Sequence, residues 1–300
     1  MGSYITLSDL GSAGGLCSQL QIYAGLLAVA KANNKQIVFS QEMLNGYEKK
    51  YELLNDEYVT RIRVFDLLDI DYEIKPKEFF DNFVSKHINF HTTRYDETLF
   101  NLDSNLNYNL IGRFDTYIYW YNDIGNEVAQ WKYKSHLQQQ AEARMSEIKQ
   151  KLGDKPTVSI HIRRGDYLHP SHHFCNLEVE YYLKAIKENF SPAKDYNFVV
   201  FSNDIEYTKL IFKGDNVYFI EPKGGEKVCS DSEKEDLVLL SLCDHHITAN
   251  SSYSWWGAYL SKTPNKKVVC PTNWLNSYHP SSWMNGNYYP PTWINIDNKS

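Results

Sequence analysis

The 300-residue chain predicts an α/β protein of two lobes, with a doubly wound parallel sheet in its C-terminal half. Three observations predict it. From residue 157 onward, strand-like runs alternate with helix-like runs, the pattern of parallel βαβ units. A β–loop–α–β unit also opens the chain around a glycine-rich turn. The length suits two domains of about 150 residues each.

The elements follow in order. Residues 4–7 (Tyr-Ile-Thr-Leu) read as a short strand, and GSAGGLCSQL as a glycine-rich turn opening a helix. QLQIYAGLLAVAKANN is helical until Asn33-Asn34 stop it, and QIVF (36–39) is a second strand. The G-x-x-G-G spacing fits neither G-x-G-x-x-G nor the phosphate loop G-x-x-x-x-G-K-[ST]. From 42 to about 110, dense Tyr, Phe and charge without a clear period predict short helices and loops. NLIGRFDTYIYW (109–120) reads as a strand and a turn. HLQQQAEARMSEIKQKLGDKP is an amphipathic helix ended by Gly153 and Pro156, which places the boundary between a lobe of 1–153 and a lobe of 154–300. Beyond it, strands at 157–162, 197–202, 217–220, 246–249 and 266–271 alternate with helices. The aromatic, proline-broken tail SSWMNGNYYPPTWINID reads as a packed arm.

Composition narrows the function classes. A net charge of −6 argues against general nucleic-acid binding. No apolar run approaches the roughly 18 residues that span a membrane, and MGSYITLSDL lacks the basic and apolar regions of a secretory signal. Gly2 and Thr6 fit the loose N-myristoylation pattern, but Met-Gly-Ser is too common a start to carry that reading. The five cysteines are widely spaced without a C-x-x-C pair, which fits a reducing cytoplasm.

Strand ends carry the chemistry. In parallel sheets, ligands bind outside the carboxyl ends of the strands. Three polar clusters fall there: Arg163, Arg164, Asp166 and Tyr167; Ser202, Asn203 and Asp204; and Asn250, Ser251, Ser252, Tyr253 and Ser254. The last opens a helix, where hydroxyls cap and free N–H groups attract phosphate. Alternation along a strand sends neighbours to opposite faces, so one arginine points at a ligand while the other braces the loop against Asp166. Either of Arg163 and Arg164 suits a diphosphate, because the guanidinium fork is planar and permanently charged. His169, His172, His173 and Cys175 match no zinc signature and read as a polar loop.

Together, SIHIRRGDY, FVVFSND, EKEDLVLLSL and HHITANSSYSWWGAYLS resemble the bacterial α-1,2-fucosyltransferases, family 11 of the glycosyltransferases. GGLCSQLQIYA is similar to that family's G-G-L-G-N-Q segment. The resemblance implies a GT-B-like fold of two Rossmann-like lobes, the first acceptor-side and the second binding the GDP-sugar. It implies inverting transfer of L-fucose from GDP-β-L-fucose to the 2-hydroxyl of a terminal galactose, with no metal or other cofactor.

It also implies roles. His161, Arg163, Arg164 and Asp166 match H-x-R-R-x-D, in which an arginine holds the donor β-phosphate. Gly14, Gly15, Ser18, Gln19, Ser202, Asp204, Asp236, Asn250, Ser251 and Ser252 match donor-side positions. Asp166 and His172 are the candidates for a base, and His172 and Cys175 match an H-G-x-C segment in which His173 replaces glycine. Cys17 and Ser18 replace the family's Gly-Asn, which makes another GDP-deoxysugar, such as that of colitose, a second donor reading. The same departures motivate a non-catalytic sugar-binding protein on a transferase scaffold, which the intact HIRRGD opposes. The expected partners are GDP-fucose and a galactose-terminated glycan. The expected place is the cytoplasm, with a lipid-linked acceptor drawing the enzyme to the inner membrane face.

Overall fold

The computed structural model describes residues 3–12, 14–45, 47–51, 56–60, 62–83, 85–90, 95–169, 173–221, 231–279 and 288–298. The chain divides into two units, Met1–Lys134 and Ser135–Ser300.

In the first unit, β1 (Tyr4–Leu7) leads into α1 (Leu16–Ala32) and β2 (Gln36–Ser40). Then come α2 (Gln41–Asn45), an antiparallel hairpin of β3 (Tyr47–Tyr51) and β4 (Asp56–Thr60), α3 (Val64–Leu67), β5 (Glu73–Lys75) and α4 (Lys77–Asp81). β6 (Ser85–Asn89), β7 (Asn107–Ile111) and α5 (Tyr121–Val128) complete it. The sheet is parallel, in the order β5-β2-β1-β7-β6. α1 has no proline and no β-branched run, and it ends as expected at Asn33, with Asn34 at φ 51°. Residues 42–110 hold strands where loops and short helices are expected. β5 and β6 are the sheet's edges and only 3 and 5 residues long, too short to print an alternation.

The second unit begins with α6 (Ser135–Leu152), followed by β8 (Thr157–Ile162), α7 (Val179–Asn189), β9 (Asn197–Ser202), α8 (Ile205–Ile211) and β10 (Val217–Phe219). α9 (Asp231–Ser241), β11 (His245–Ile247), α10 (Ser252–Leu260), β12 (Val268–Pro271) and β13 (Ile294–Ile296) follow. Six parallel strands lie in the order β10-β9-β8-β11-β12-β13. The tail therefore contributes the outermost strand, β13, rather than only a packed arm. The unit boundary falls before α6 rather than behind it at 153/154. α6 lies against α9, and Arg144 ion-pairs with Asp236 at 2.5 Å.

β8 shows how the sequence builds this sheet. All six of its residues are buried, as a central parallel strand requires. Val158, Ile160 and Ile162 face an apolar cluster with Tyr181, Phe198, Val200, Ile247 and Val269. The alternate residues are polar, and each has a partner. Thr157 bonds Asp244 (2.7 and 2.8 Å), Ser159 Oγ meets His246 Nδ1 (2.8 Å), and His161 Nδ1 meets Ser254 Oγ (3.0 Å).

Candidate active site

The second sheet winds β8 to β9 to β10 in one direction and β11 to β12 to β13 in the other. Its topological switch point is therefore between β8 and β11, where doubly wound sheets open a ligand crevice. The three polar clusters predicted at strand ends stand at the carboxyl ends of β8, β9 and β11.

The turn after β8 is held by opposite charges and by one amide. Arg163 Nη2 lies 2.8 Å from Asp166 Oδ1, and its guanidinium is 5.4 Å from the Tyr167 ring centre. Burial works against the Arg163 charge, but Asp166, together with Tyr167 and Glu233, more than offsets it, so its pKa moves up. Arg163 Nε is shut off from solvent without a hydrogen-bond partner, leaving an unspent donor beside a fixed positive charge. Arg164 is more fully engaged. Its Nε donates to Asp204 Oδ2 at 3.2 Å, and its guanidinium lies 3.5 Å from the Tyr207 ring centre.

The amide is that of Asn203. Its Oδ1 accepts from the Arg164 backbone N–H at 2.8 Å, and its Nδ2 donates to the Arg164 carbonyl at 3.1 Å. The next residue, Gly165, has φ +61°, and a Cβ there would fall 2.7 Å from Asn203 Nδ2. Only glycine fits both the backbone angle and the clamp. Sequence reasoning placed Asn203 in a strand-end cluster without giving it a role. Its signal was its place between Ser202 and Asp204, level with the arginine turn on the neighbouring strand.

The remaining predicted residues divide into those at the rim and those buried beneath it. Asp204 caps α8, accepting from Tyr207 N at 3.2 Å, and Ser202 Oγ accepts from Asp204 N at 3.0 Å. Ser251 caps α10 through Tyr253 N at 3.4 Å, and Ser252 is the first residue of that helix. His161 lies lower. It is buried beside the Tyr253 ring, and desolvation, with the Arg163 charge, drives its pKa down to about 3. It is a neutral support under α10. Asn250 is also a brace: its Nδ2 donates to the carbonyls of Cys175 (2.8 Å) and Trp274 (2.9 Å), and its own carbonyl accepts from Tyr167 Oη (3.3 Å). Asp236 is on α9 with its carboxylate on Arg144 of α6. His172 lies outside the described residues. Cys175 Sγ donates to the Leu275 carbonyl at 3.1 Å, and the His173 and His279 rings lie 4.7 Å apart. Among the described residues, no three His, Cys, Asp or Glu side chains converge on a metal position.

In the first unit, Gly14 (φ +109°) and Gly15 lead exposed into α1, and Gly15 gives that helix no side-chain cap. Ser18 is half-buried behind Gly14. Gln19 is 1% exposed and serves the loop itself. Its Nε2 reaches the Gly11 and Gly14 carbonyls, each at 3.3 Å, and its Oε1 accepts from Arg63 N at 2.7 Å. That side chain shapes the glycine turn from below.

Comparison with known proteins bears on this geometry. The model of the family described as "Glycosyl transferase family 11" matches residues 20–297. The O-antigen biosynthesis glycosyltransferase WbnK of Escherichia coli is 36% identical over 141 residues, 43% of this chain and 44% of that protein. An alpha-1,2-colitosyltransferase of Escherichia coli is 33% identical over 156 residues, 47% of this chain and 48% of that protein. The chain thus spans about half the length of these curated relatives. Among solved structures, POFUT1 in complex with GDP-fucose aligns over 98% of both chains, with TM-score 0.52 and 10% identity. The fucosyltransferase NodZ from Bradyrhizobium aligns over 86% of this chain and 93% of its own, with TM-score 0.52 and 12% identity. The fold shared with them is GT-B-like, with two Rossmann-like lobes.

Proposed function

The chain belongs to glycosyl transferase family 11, and we propose that it transfers L-fucose from GDP-β-L-fucose to the 2-hydroxyl of a terminal galactose, with inversion. The observation that carries this reading is the arginine turn at the β8/β11 switch point, level with the Ser251-capped start of α10. Arg163 carries a held charge and an unspent buried N–H donor. Arg164 is fixed in place by Asp204, Tyr207 and Asn203. A diphosphate leaving group needs these: rigid positive charge, and backbone N–H groups at a helix start.

In the proposed reaction, the bond from fucose C1 to the β-phosphate oxygen breaks, and its electron pair stays on the diphosphate. The galactose O2 attacks C1 from the opposite face and forms the new α bond. The hydroxyl proton leaves to a base or to solvent. More negative charge sits on the departing diphosphate in the transition state than in the ground state, so preorganised cations aimed there favour the transition state. In this reading Arg163 and Arg164 stabilise the leaving group directly. Asp166 orients Arg163, since its side chain is only 10% exposed and engaged with that guanidinium. Gly14, Gly15 and Ser18 are kept as donor-side residues, and Ser202, Asp204, Ser251 and Ser252 as the polar rim. The same reading places the enzyme in the cytoplasm, with a lipid-linked acceptor at the inner membrane face.

A colitose donor is the second reading. It is favoured by Cys17-Ser18 in place of Gly-Asn and by the 33% identity to a protein named as a colitosyltransferase. The test is a panel of GDP-sugars incubated with galactose-terminated acceptors, with GDP release as the signal. Acceptor-dependent release from GDP-fucose supports the proposal, and release from GDP-colitose alone supports the second reading. Release from none, with GDP still bound, shows a binding protein.

A further inference from the structure

The carboxyl ends of the two central strands of the first unit hold an ion group that the proposed mechanism leaves unused. Asp9 follows β1, and Arg113 and Asp115 follow β7, which pairs with β1 in register from Ile5–Tyr108 to Leu7–Leu110. Arg113 Nε lies 3.2 Å from Asp115 Oδ1. The far end of the guanidinium reaches toward the glycine turn, with Nη2 4.0 Å from where a Cβ on Gly14 would stand. Nothing lies within 4 Å of the Cβ position on Gly15, so open space adjoins this turn. All three charged residues are half-buried.

The charges are incompletely satisfied. Burial pushes the carboxyl groups of Asp9 and Asp115 above the ordinary range, although the backbone N–H groups of Asp9 and Gly112 and, less, the Arg113 charge pull Asp9 the other way, and Arg113 does so for Asp115. Asp9 Oδ1 is closed to solvent and has no hydrogen-bond partner. One carboxylate oxygen of Asp9 has thus lost water without gaining a donor, the Asp115 carboxylate holds only one arm of Arg113, and that guanidinium has only part of its fork in use. A ligand that completes this group must bring several donors and at least one acceptor. With two acids against one base, the group carries a net charge of about −1 when ionised, which repels a diphosphate. A neutral polyol meets every condition, since each sugar hydroxyl both donates and accepts.

We propose that Asp9, Arg113 and Asp115, beside the glycine turn, form the subsite that binds hydroxyls of the acceptor hexopyranoside. This rests on the reading of the chain as a glycosyl transferase. The two carboxylates accept from sugar hydroxyls, and Arg113 donates to a hydroxyl or ring oxygen. Each such bond is charge-assisted, so losing one costs about tenfold or more in affinity.

The experiment is ligand-observed NMR of lactose and of methyl β-D-galactopyranoside with the full chain, at saturating GDP. Wild type is compared with Asp9→Asn, Arg113→Gln and Asp115→Asn, with melting temperature and GDP affinity measured on each. The proposal expects wild type to bind a galactoside, all the variants to bind it at least about tenfold more weakly, and GDP affinity to stay unchanged. Arg113→Gln and Asp115→Asn shift the net charge in opposite directions, so a purely electrostatic effect would move them apart. Lost hydrogen bonds weaken both. If a variant unfolds, Arg113→Lys, which keeps the charge and loses the fork, takes its place. Galactoside binding equal to wild type in the folded variants overturns the proposal. So does a loss confined to GDP, or a wild type that binds neither galactoside. Failure of fucosyl transfer alone is read separately, because galactoside binding is observed without turnover.

Discussion

Replacing Asn203 by alanine removes both bonds that hold the backbone of Arg164, at 2.8 and 3.1 Å. A hydrogen bond contributes a net of about 0.5–1.5 kcal/mol, so the pair is worth about 1–3 kcal/mol. The turn is near solvent, and water can replace part of that, which puts the loss of global stability at the lower end. The effect on ligand binding is larger in proportion, because the arginine turn then samples orientations that no longer suit a diphosphate. Asn203→Ala is expected to weaken GDP binding by about tenfold, equivalent to about 1.4 kcal/mol, with a small fall in melting temperature. Asn203→Asp keeps the Oδ1 acceptor but sets a carboxylate oxygen against the Arg164 carbonyl and adds a negative charge beside the diphosphate, so it should weaken GDP binding at least as much as Asn203→Ala. Gly165→Ala supplies an internal check. Its Cβ would stand 2.7 Å from Asn203 Nδ2, so the glycine change should cost less in the Asn203→Ala background than in wild type. Isothermal titration with GDP and a thermal melt on the four proteins of this cycle and on Asn203→Asp measure all of it. Wild-type GDP affinity in Asn203→Ala, or strict additivity with Gly165→Ala, would refute the clamp.

Other expectations follow from the same geometry. Arg163→Lys keeps the charge but loses the fork and the buried Nε, and turnover should fall on the order of 10²–10³ with the melting temperature nearly unchanged. Arg164→Lys loses the Asp204 bond and the flat contact on Tyr207, and its loss should show in the melting temperature as well as in turnover. EDTA should leave turnover intact, since arginines and helix N–H groups meet the diphosphate charge in the proposed site; restoration by a divalent ion after EDTA would count against it. His161 has a folded-state pKa of about 3 against an ordinary value near 6.5. Below pH 6.5 the unfolded chain takes up a proton that the folded chain refuses. Stability from this group is therefore complete above about 6.5 and is lost as pH falls toward 3. His161→Gln should flatten the stability–pH slope in that window by up to about 1.4 kcal/mol per pH unit, and an unchanged slope would show that His161 is not held neutral.

Much of the second unit was legible because βαβ alternation prints clear periods. β8 and β9 fall on their expected residues, and the strand ends point to the arginine turn, Asp204 and Ser251. What the sequence hid was depth. His161, Asn250 and Gln19 sit in the right segments, yet their side chains are buried and engaged by the protein itself. A motif shows residue type and spacing, and neither reveals which side of a strand end faces a ligand. Asp236 enters the donor-side set through the resemblance of EKEDLVLLSL, and its pairing with Arg144 of α6 is visible only in the fold. The first unit was harder for a different reason. Its edge strands are 3 and 5 residues long, and NLIGRFDTYIYW read only as a strand and a turn. Arg113 and Asp115 matter through their nearness to Asp9 and Gly14, about 100 residues earlier, which only the β1–β7 pairing brings about.

Inverting fucosyl transfer at the arginine turn can be followed in a proton NMR time course of the chain with GDP-β-L-fucose and lactose. The donor's anomeric signal should disappear and an α-linked fucosyl signal should grow with release of GDP, all dependent on lactose. Arg163→Lys should slow the course by a factor on the order of 10²–10³, as expected for a lost charge-stabilising donor. A β-linked product would contradict inversion. An unchanged donor signal, with GDP bound tightly and none of the GDP-sugars consumed, would contradict catalysis itself.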